Sequence, residues 1–176
     1  MRQPKTSKGR EQKMITEALG KESAMKKQIK TKPLNTLKCV FPVKSVNEGL
    51  SRMIVAAFIS QLDPTVSELS DMKTVISEAV TNCIVHAYKG FPDKSKAFVY
   101  IYGEYYSDGR VVIKVKDKGV GIEDVKLARQ PLYTTDRENE RSGMGFTIME
   151  SFTDKLRVYS KKGKGTTVVI EKRIGL

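Results

Sequence analysis

Three short constellations in this chain carry residue types suited to phosphate and nucleotide chemistry. The first is Ser77-Glu78-Ala79-Val80-Thr81-Asn82, in which Glu78 and Asn82 stand four apart. On a helix that spacing projects both side chains from one face. A carboxylate there can accept a proton, and an amide oxygen beside it is a hard, neutral ligand suited to Mg²⁺. The second is Asp117-Lys118-Gly119-Val120-Gly121. An Asp at a strand end can accept a hydrogen bond from an exocyclic amine, and the glycines let the backbone approach a ligand closely. The third is Arg141-Ser142-Gly143-Met144-Gly145-Phe146. Glycines entering a helix expose N–H groups toward an anion, and Arg141 adds a fixed positive charge. A softer fourth element is Gly165-Thr166-Thr167, where a hydroxyl can reach the same base as Asp117. Taken singly, each has an ordinary alternative: surface polar residues, a β-turn, a glycine hinge and a β-branched strand.

The pattern of apolar residues supplies the elements that must position them. Leu37, Cys39 and Phe41 alternate as a short strand ending at Pro42. Ser45 and Glu48 have capping-box spacing at the start of a helix, whose predicted apolar face is Val46, Leu50, Met53, Ile54, Ala57, Phe58 and Leu62. Asp63-Pro64 ends it. Thr65 and Glu68 repeat the capping box for a longer helix, with a predicted core face from Val66 through Met72, Ile76 and Ala79 to Ile84. Gly90 to Asp93 breaks that helix. Lys96 to Tyr106 and Val111 to Lys116 read as a hairpin closed by Ser107-Asp108-Gly109. A glycine-punctuated polar stretch follows from Lys118 to Ser142, then a short helix from Gly145 to Phe152. Two strands, Leu156 to Ser160 and Thr166 to Lys172, close the chain. Early helices and late strands predict an α+β two-layer sandwich of one mixed, mostly antiparallel sheet and one helical layer.

The 176 residues carry a formal net charge of +12, and its location matters. Residues 1–38 hold 11 Lys/Arg against 3 Asp/Glu, whereas the remainder holds 21 against 17. The excess is therefore a property of an arm, expected to be disordered over residues 1–36 and followed by a domain over 37–176. Such an arm can attract nucleic acid or an acidic partner weakly. Met14 and Met25 lie within it, which leaves a downstream start open. Two cysteines, Cys39 and Cys83, are too few for a disulfide scaffold or a zinc ribbon, and read as free thiols of a reducing cytoplasm. The longest apolar run, Met53 to Ile59, is too short to span a bilayer, and no secretory leader is expected.

In order, E-x-x-x-N on a helix, D-x-G-x-G after a strand, G-x-G before a helix and G-T-T on a strand resemble the Bergerat (GHKL) ATP-binding superfamily. The stretch between Gly121 and Gly143 would be its ATP lid, and no Walker A pattern competes for the phosphates. The wording of Phe58 to Thr65, Ser77 to Asn82, Ala128 to Thr135 and Glu140 to Glu150 is similar to the anti-sigma F factors of spore-forming bacteria. That resemblance covers about Leu37 to Lys172. It implies a protein that binds sigma F and keeps it from RNA polymerase, and a homodimer. It also implies a serine kinase that uses ATP and Mg²⁺ to phosphorylate an anti-anti-sigma factor. Carried over by residue, Glu78 is the general base, Asn82 the Mg²⁺ ligand and Asp117 the reader of the adenine amine. Gly119 and Gly121 shape that pocket, Arg141, Ser142, Gly143 and Gly145 hold phosphates, and Thr166 supports the adenine side. Glu48 and Arg52 fall where the family grips its protein partners. A general-stress anti-sigma kinase and a non-catalytic sigma-sequestering module are the alternatives; intact Glu78 and Asn82 speak against the latter.

Overall fold

In the computed structural model, residues 16, 32–91, 93–133 and 143–175 are described. Five strands form one sheet: β1 (Asn35–Pro42), β2 (Phe98–Tyr105), β3 (Arg110–Lys116), β4 (Lys155–Lys161) and β5 (Gly165–Arg173). Their order is β1-β2-β3-β5-β4, and every neighbouring pair is antiparallel. The two-layer α+β architecture predicted from the sequence is present, with no parallel pair among the described strands. On one face lie α1 (Val46–Ile59), α2 (Val66–Asn82) and α4 (Gly145–Ser151), and a single helical turn, α3 (Val125–Ala128), stands beside β4. The core between the layers is built from alternate strand residues, such as Val99, Ile101, Ile113, Val115, Val168 and Ile170, against Val55, Ile59, Met72, Val75, Ile76 and Val80. Burial of this contiguous apolar surface is the main drive for the fold. No helix is long and apolar enough to cross a membrane among the described residues.

Three local expectations are corrected. The first strand begins at Asn35, and Leu34 N donates to Tyr105 O at 2.8 Å, so the sheet reaches into the segment assigned to the arm. The Ser45 capping box does not form: Ser45 is itself helical in conformation, with no side-chain cap bond, and Glu48 pairs with Arg52 instead. The buried face of α1 is rotated from the predicted one. Ser51, Val55, Ala56, Phe58 and Ile59 are buried, while Val46, Leu50 and Met53 are 76%, 45% and 68% exposed. Residues 53–59 are apolar all round the helix, so periodicity allows two stripes. Packing selects the one with Val55, Phe58 and Ile59, and buried Ser51 satisfies its hydroxyl on Glu48 O at 2.7 Å. The second capping box does form. Thr65 Oγ1 accepts from Glu68 N at 3.2 Å, and the Glu68 carboxylate accepts from Thr65 N at 2.7 Å.

Candidate nucleotide site

The longest helix places the first pair. Glu78 and Asn82 occupy the last turns of α2, each half-buried and offset from buried Ala79 and Cys83. Beyond Asn82 the helix widens into a π-turn over Cys83–Ala87. Its last carbonyl, on Ala87, accepts from Val120 N at 2.7 Å. The Asp117-to-Gly121 loop is thus hung on the end of α2. Gly119 is the residue that permits this approach, because a Cβ there would run into the Ala87 carbonyl. Tyr88, one residue further, ties the same corner together. Its hydroxyl donates to Phe98 O at 2.7 Å and accepts from Lys118 N at 3.0 Å.

Asp117 is 3% exposed at the end of β3. Its Oδ1 accepts from Gly119 N at 2.8 Å and Thr166 N at 3.1 Å, and Cys83 Sγ lies 3.8 Å from Oδ2 as a weak donor. Burial pushes the Asp117 carboxyl above its usual range, against the downward pull of those donors. Burial, with the Asp117 charge second, pushes the Cys83 thiol well up, so the sulfur stays protonated and donates. Thr166 is locked from both sides. Its carbonyl accepts from Asp117 N at 3.0 Å, and its hydroxyl shares a 2.9 Å bond with Ser160 Oγ. Ser160 Oγ also accepts from Ile122 N at 2.7 Å, fastening the loop after Gly121 to β4.

The glycine loop closes the far wall. Gly143 has φ +65° and packs on the Leu132–Tyr133 backbone. Gly145 opens α4 directly against α2. A Cβ on it would lie 2.8 Å from Glu78 Oε2 and 3.6 Å from the Asn82 amide nitrogen. Just beyond α3, Arg129 Nε donates to Glu150 Oε1 on α4 at 2.7 Å.

The result is one cavity of about 870 Å³ lined by Glu78, Asn82, Asp117, Gly121, Gly143, Gly145 and Thr166. That volume is ample for a nucleotide. Apolar side chains, Ala79, Ala87 and Val168 among them, line it together with the polar ones. Seven residues from four separate motifs therefore converge. Gly119 sits behind the wall and holds Asp117 through its N–H. Arg141 and Ser142 lie outside the described residues. Glu48 and Arg52 lie on α1, outside the cavity, joined at 3.2 Å. Arg52 does not simply face outward, as its position on the helix suggests: its Nη1 also donates to Ser77 Oγ at 3.1 Å, one residue from Glu78. Cys83, Tyr88 and Ser160 are site residues that sequence reasoning missed. Cys83 belongs to the apolar stripe, and the other two act through hydroxyl contacts to backbone and to Thr166 that no spacing signals. Among the described residues no cluster of three or more His, Cys, Asp or Glu could hold a metal unaided. Asn82 beside Glu78 does fit an ion bound mainly through phosphate oxygens and water.

An apolar cleft on an α+β sandwich with a buried carboxylate and two glycine loops defines a class of nucleotide-binding domain. Residues 42–172 match the family of the histidine kinase-like ATPase domain, so ATP is the ligand that the cavity implies. The chain is 51% identical over 140 residues to the anti-sigma F factor of Clostridium perfringens (strain SM101), covering 80% of this chain and 97% of that protein. It is 50% identical over 141 residues to the anti-sigma F factor of Caldanaerobacter subterraneus, covering 80% of this chain and 95% of that one. The chain belongs to the anti-sigma F factor family of histidine kinase-like ATPase domains. Solved structures agree on the fold. The RsbU and RsbW domains of Rv1364c from Mycobacterium tuberculosis superpose with a TM-score of 0.55 at 19% identity, over 81% of this chain and 32% of that one. The SiaB-SiaC complex from Pseudomonas aeruginosa gives a TM-score of 0.59 at 13% identity, over 90% and 99%.

Proposed function

We propose that this protein is a cytoplasmic, homodimeric anti-sigma factor that holds sigma F away from RNA polymerase. It also acts as an Mg²⁺- and ATP-dependent serine kinase toward an anti-anti-sigma factor. The observation that carries the kinase half is the close approach of Gly145 to Glu78 and Asn82 in the cavity that Asp117 also lines. A module that only bound a sigma factor would not need a carboxylate and an amide packed against a glycine loop. In this reading Asp117 Oδ2 accepts the adenine amine, while Oδ1 is fixed by Gly119 and Thr166. Gly121 keeps the adenine wall thin. Phosphate binding falls to the Gly143–Gly145 loop, which lines the cavity, and by the family resemblance to Arg141 and Ser142 before it. Mg²⁺, held by Asn82, would neutralise phosphate charge when bound. Glu78 takes the proton from the attacking serine hydroxyl.

The sigma-binding half rests on the family and on α1. The half-exposed Glu48–Arg52 pair and the exposed Val46, Leu50 and Met53 form a mixed charged and apolar surface on α1. Such a patch suits protein partners, a second copy among them. The test is incubation of the protein with γ-labelled ATP, Mg²⁺ and a candidate anti-anti-sigma protein. Label should appear on a serine of that partner, and a chelator should abolish it. Absence of transfer with ATP bound and sigma F captured would leave a sequestering module and overturn the kinase half.

A further inference from the structure

The face of the sheet turned away from the helices is not a plain solvated surface. Registers across the sheet place Lys38, Tyr102 and Lys114 in one row that continues through Val169 to Arg157, and Tyr100, Lys116 and Tyr159 in the next, with Val40 and Thr167. Their sequence neighbours Cys39, Ile101, Val115 and Val158 point into the core, so these lysines and tyrosines share the outer face. Lys38 and Lys116 are exposed, and Tyr159 is 59% exposed. Lys38 Nζ stands 5.8 Å from the Tyr102 ring centroid, and Lys118 Nζ 5.0 Å from that of Tyr100. No acidic residue falls in these two rows. The acids of this face, Glu104 and Glu171, lie one row further on. They are engaged with the Tyr106 hydroxyl at 3.0 Å and Arg157 at 3.5 Å.

Lysines interleaved with half-exposed aromatic rings on an open antiparallel sheet are what unpaired bases and phosphates together require. Each ring offers a platform for a base, and each ammonium neutralises a phosphate. Tyr100 and Tyr102 are about 7 Å apart along the strand, and Tyr159 is three strands away, about 14 Å. A strand of nucleic acid can therefore cross the sheet and meet three platforms. A flat sheet does not enter a duplex groove as a helix does, so the match is to unpaired bases. The nucleotide cavity lies on the opposite face of the sheet, so the two ligands do not compete.

We propose that the outer sheet face binds single-stranded nucleic acid, with Tyr100, Tyr102 and Tyr159 stacking on bases and Lys38, Lys114 and Lys116 contacting phosphates. This site is distinct from the basic arm and independent of the kinase reading. The test is fluorescence anisotropy of the full chain with labelled 15-nucleotide oligo(U) and oligo(dT) over a salt series. The Tyr100→Ala/Tyr102→Ala protein should bind both oligonucleotides at least about tenfold more weakly, since base–aromatic stacking is sequence-tolerant and substantial. Tyr100→Phe/Tyr102→Phe should bind like the wild type, because it keeps the rings. Lys114→Gln/Lys116→Gln should flatten the log–log salt slope by about 1.4, at roughly 0.7 per phosphate contact on a single strand. It carries the test if the tyrosine variant fails to fold. A preference for oligo(U) over oligo(dT) would assign RNA, and parity would assign either strand type; both support the site. Wild-type affinity in both the lysine and the folded tyrosine variants would place all binding in the arm and overturn the proposal. So would equal affinity for duplex of the same length, displacement by poly-glutamate at equal charge, or no binding at low salt.

Discussion

Replacing Asp117 with Asn should reverse what the adenine end of the cavity recognises. Oδ1 accepts two backbone N–H groups, from Gly119 at 2.8 Å and Thr166 at 3.1 Å. In the Asp117→Asn protein the amide oxygen must take that place, because an amide nitrogen cannot accept from either donor. The –NH₂ then occupies the position of Oδ2 and turns a donor toward the adenine amine, itself a donor. Losing the charge-assisted bond costs about 1.5–3 kcal/mol, and leaving a buried donor unpaired adds about 1–3 kcal/mol. At about 1.4 kcal/mol per decade, ATP should bind at least roughly fiftyfold more weakly. GTP, which presents a carbonyl at that position, should lose far less or gain. Because burial already disfavours the Asp117 charge, the neutral variant should melt no earlier than the wild type. Titration calorimetry with both nucleotides, alongside thermal melting, decides the matter. ATP affinity within threefold of wild type in a folded Asp117→Asn protein would refute the assignment.

Further expectations come from the same geometry. Adenine recognition needs ionised Asp117, whose carboxyl is raised by burial. ATP affinity should therefore fall on acidification sooner than an ordinary carboxylate with a pKa of about 3.9 would make it fall. Binding should release protons, measurable by calorimetry at mildly acid pH in two buffers of different ionisation enthalpy. For stability the sign is opposite: the folded chain holds this proton more tightly than the unfolded one, so the Asp117 contribution declines as pH rises through its folded value. Gly145→Ala places a methyl 2.8 Å from Glu78 Oε2. Displacing that carboxylate should cut the rate of phosphotransfer by about tenfold to a hundredfold, with ATP affinity within threefold, in single-turnover assays. Arg52→Ala removes contacts to Glu48 and Ser77. Pull-downs of sigma F or the anti-anti-sigma factor should weaken, while stability changes by only about 1 kcal/mol for a half-exposed pair.

The motif order was enough to anticipate the candidate cavity, because each motif sits at the end of an element whose periodicity is plain. Glu78 and Asn82 follow a strong capping box and a clean apolar stripe. Asp117 follows a strand rich in β-branched residues, and its two glycines announce a close backbone approach. Where the sequence misled, two physically similar choices were available. The circumference of α1 is apolar from Met53 to Ile59, so the pattern could not select the buried side. Ser45-x-x-Glu48 has the spacing of a capping box without the extended backbone at Ser45 that one needs. The π-turn at Cys83–Ala87, which hands the Ala87 carbonyl to Val120, has no signature in residue types. For the same reason Tyr88 and Ser160 emerged only with the fold, and Cys83 passed as a core residue until its sulfur was found beside Asp117.

The central claim is that Glu78 performs chemistry rather than binding. Its most direct test is single-turnover phosphotransfer to the anti-anti-sigma protein by wild type and Glu78→Ala at saturating Mg·ATP, with nucleotide occupancy measured on the same samples. The account predicts equal occupancy and a rate lower by about 10²–10⁴ in the variant. Transfer at the wild-type rate, with Glu78 gone and ATP bound, would contradict it.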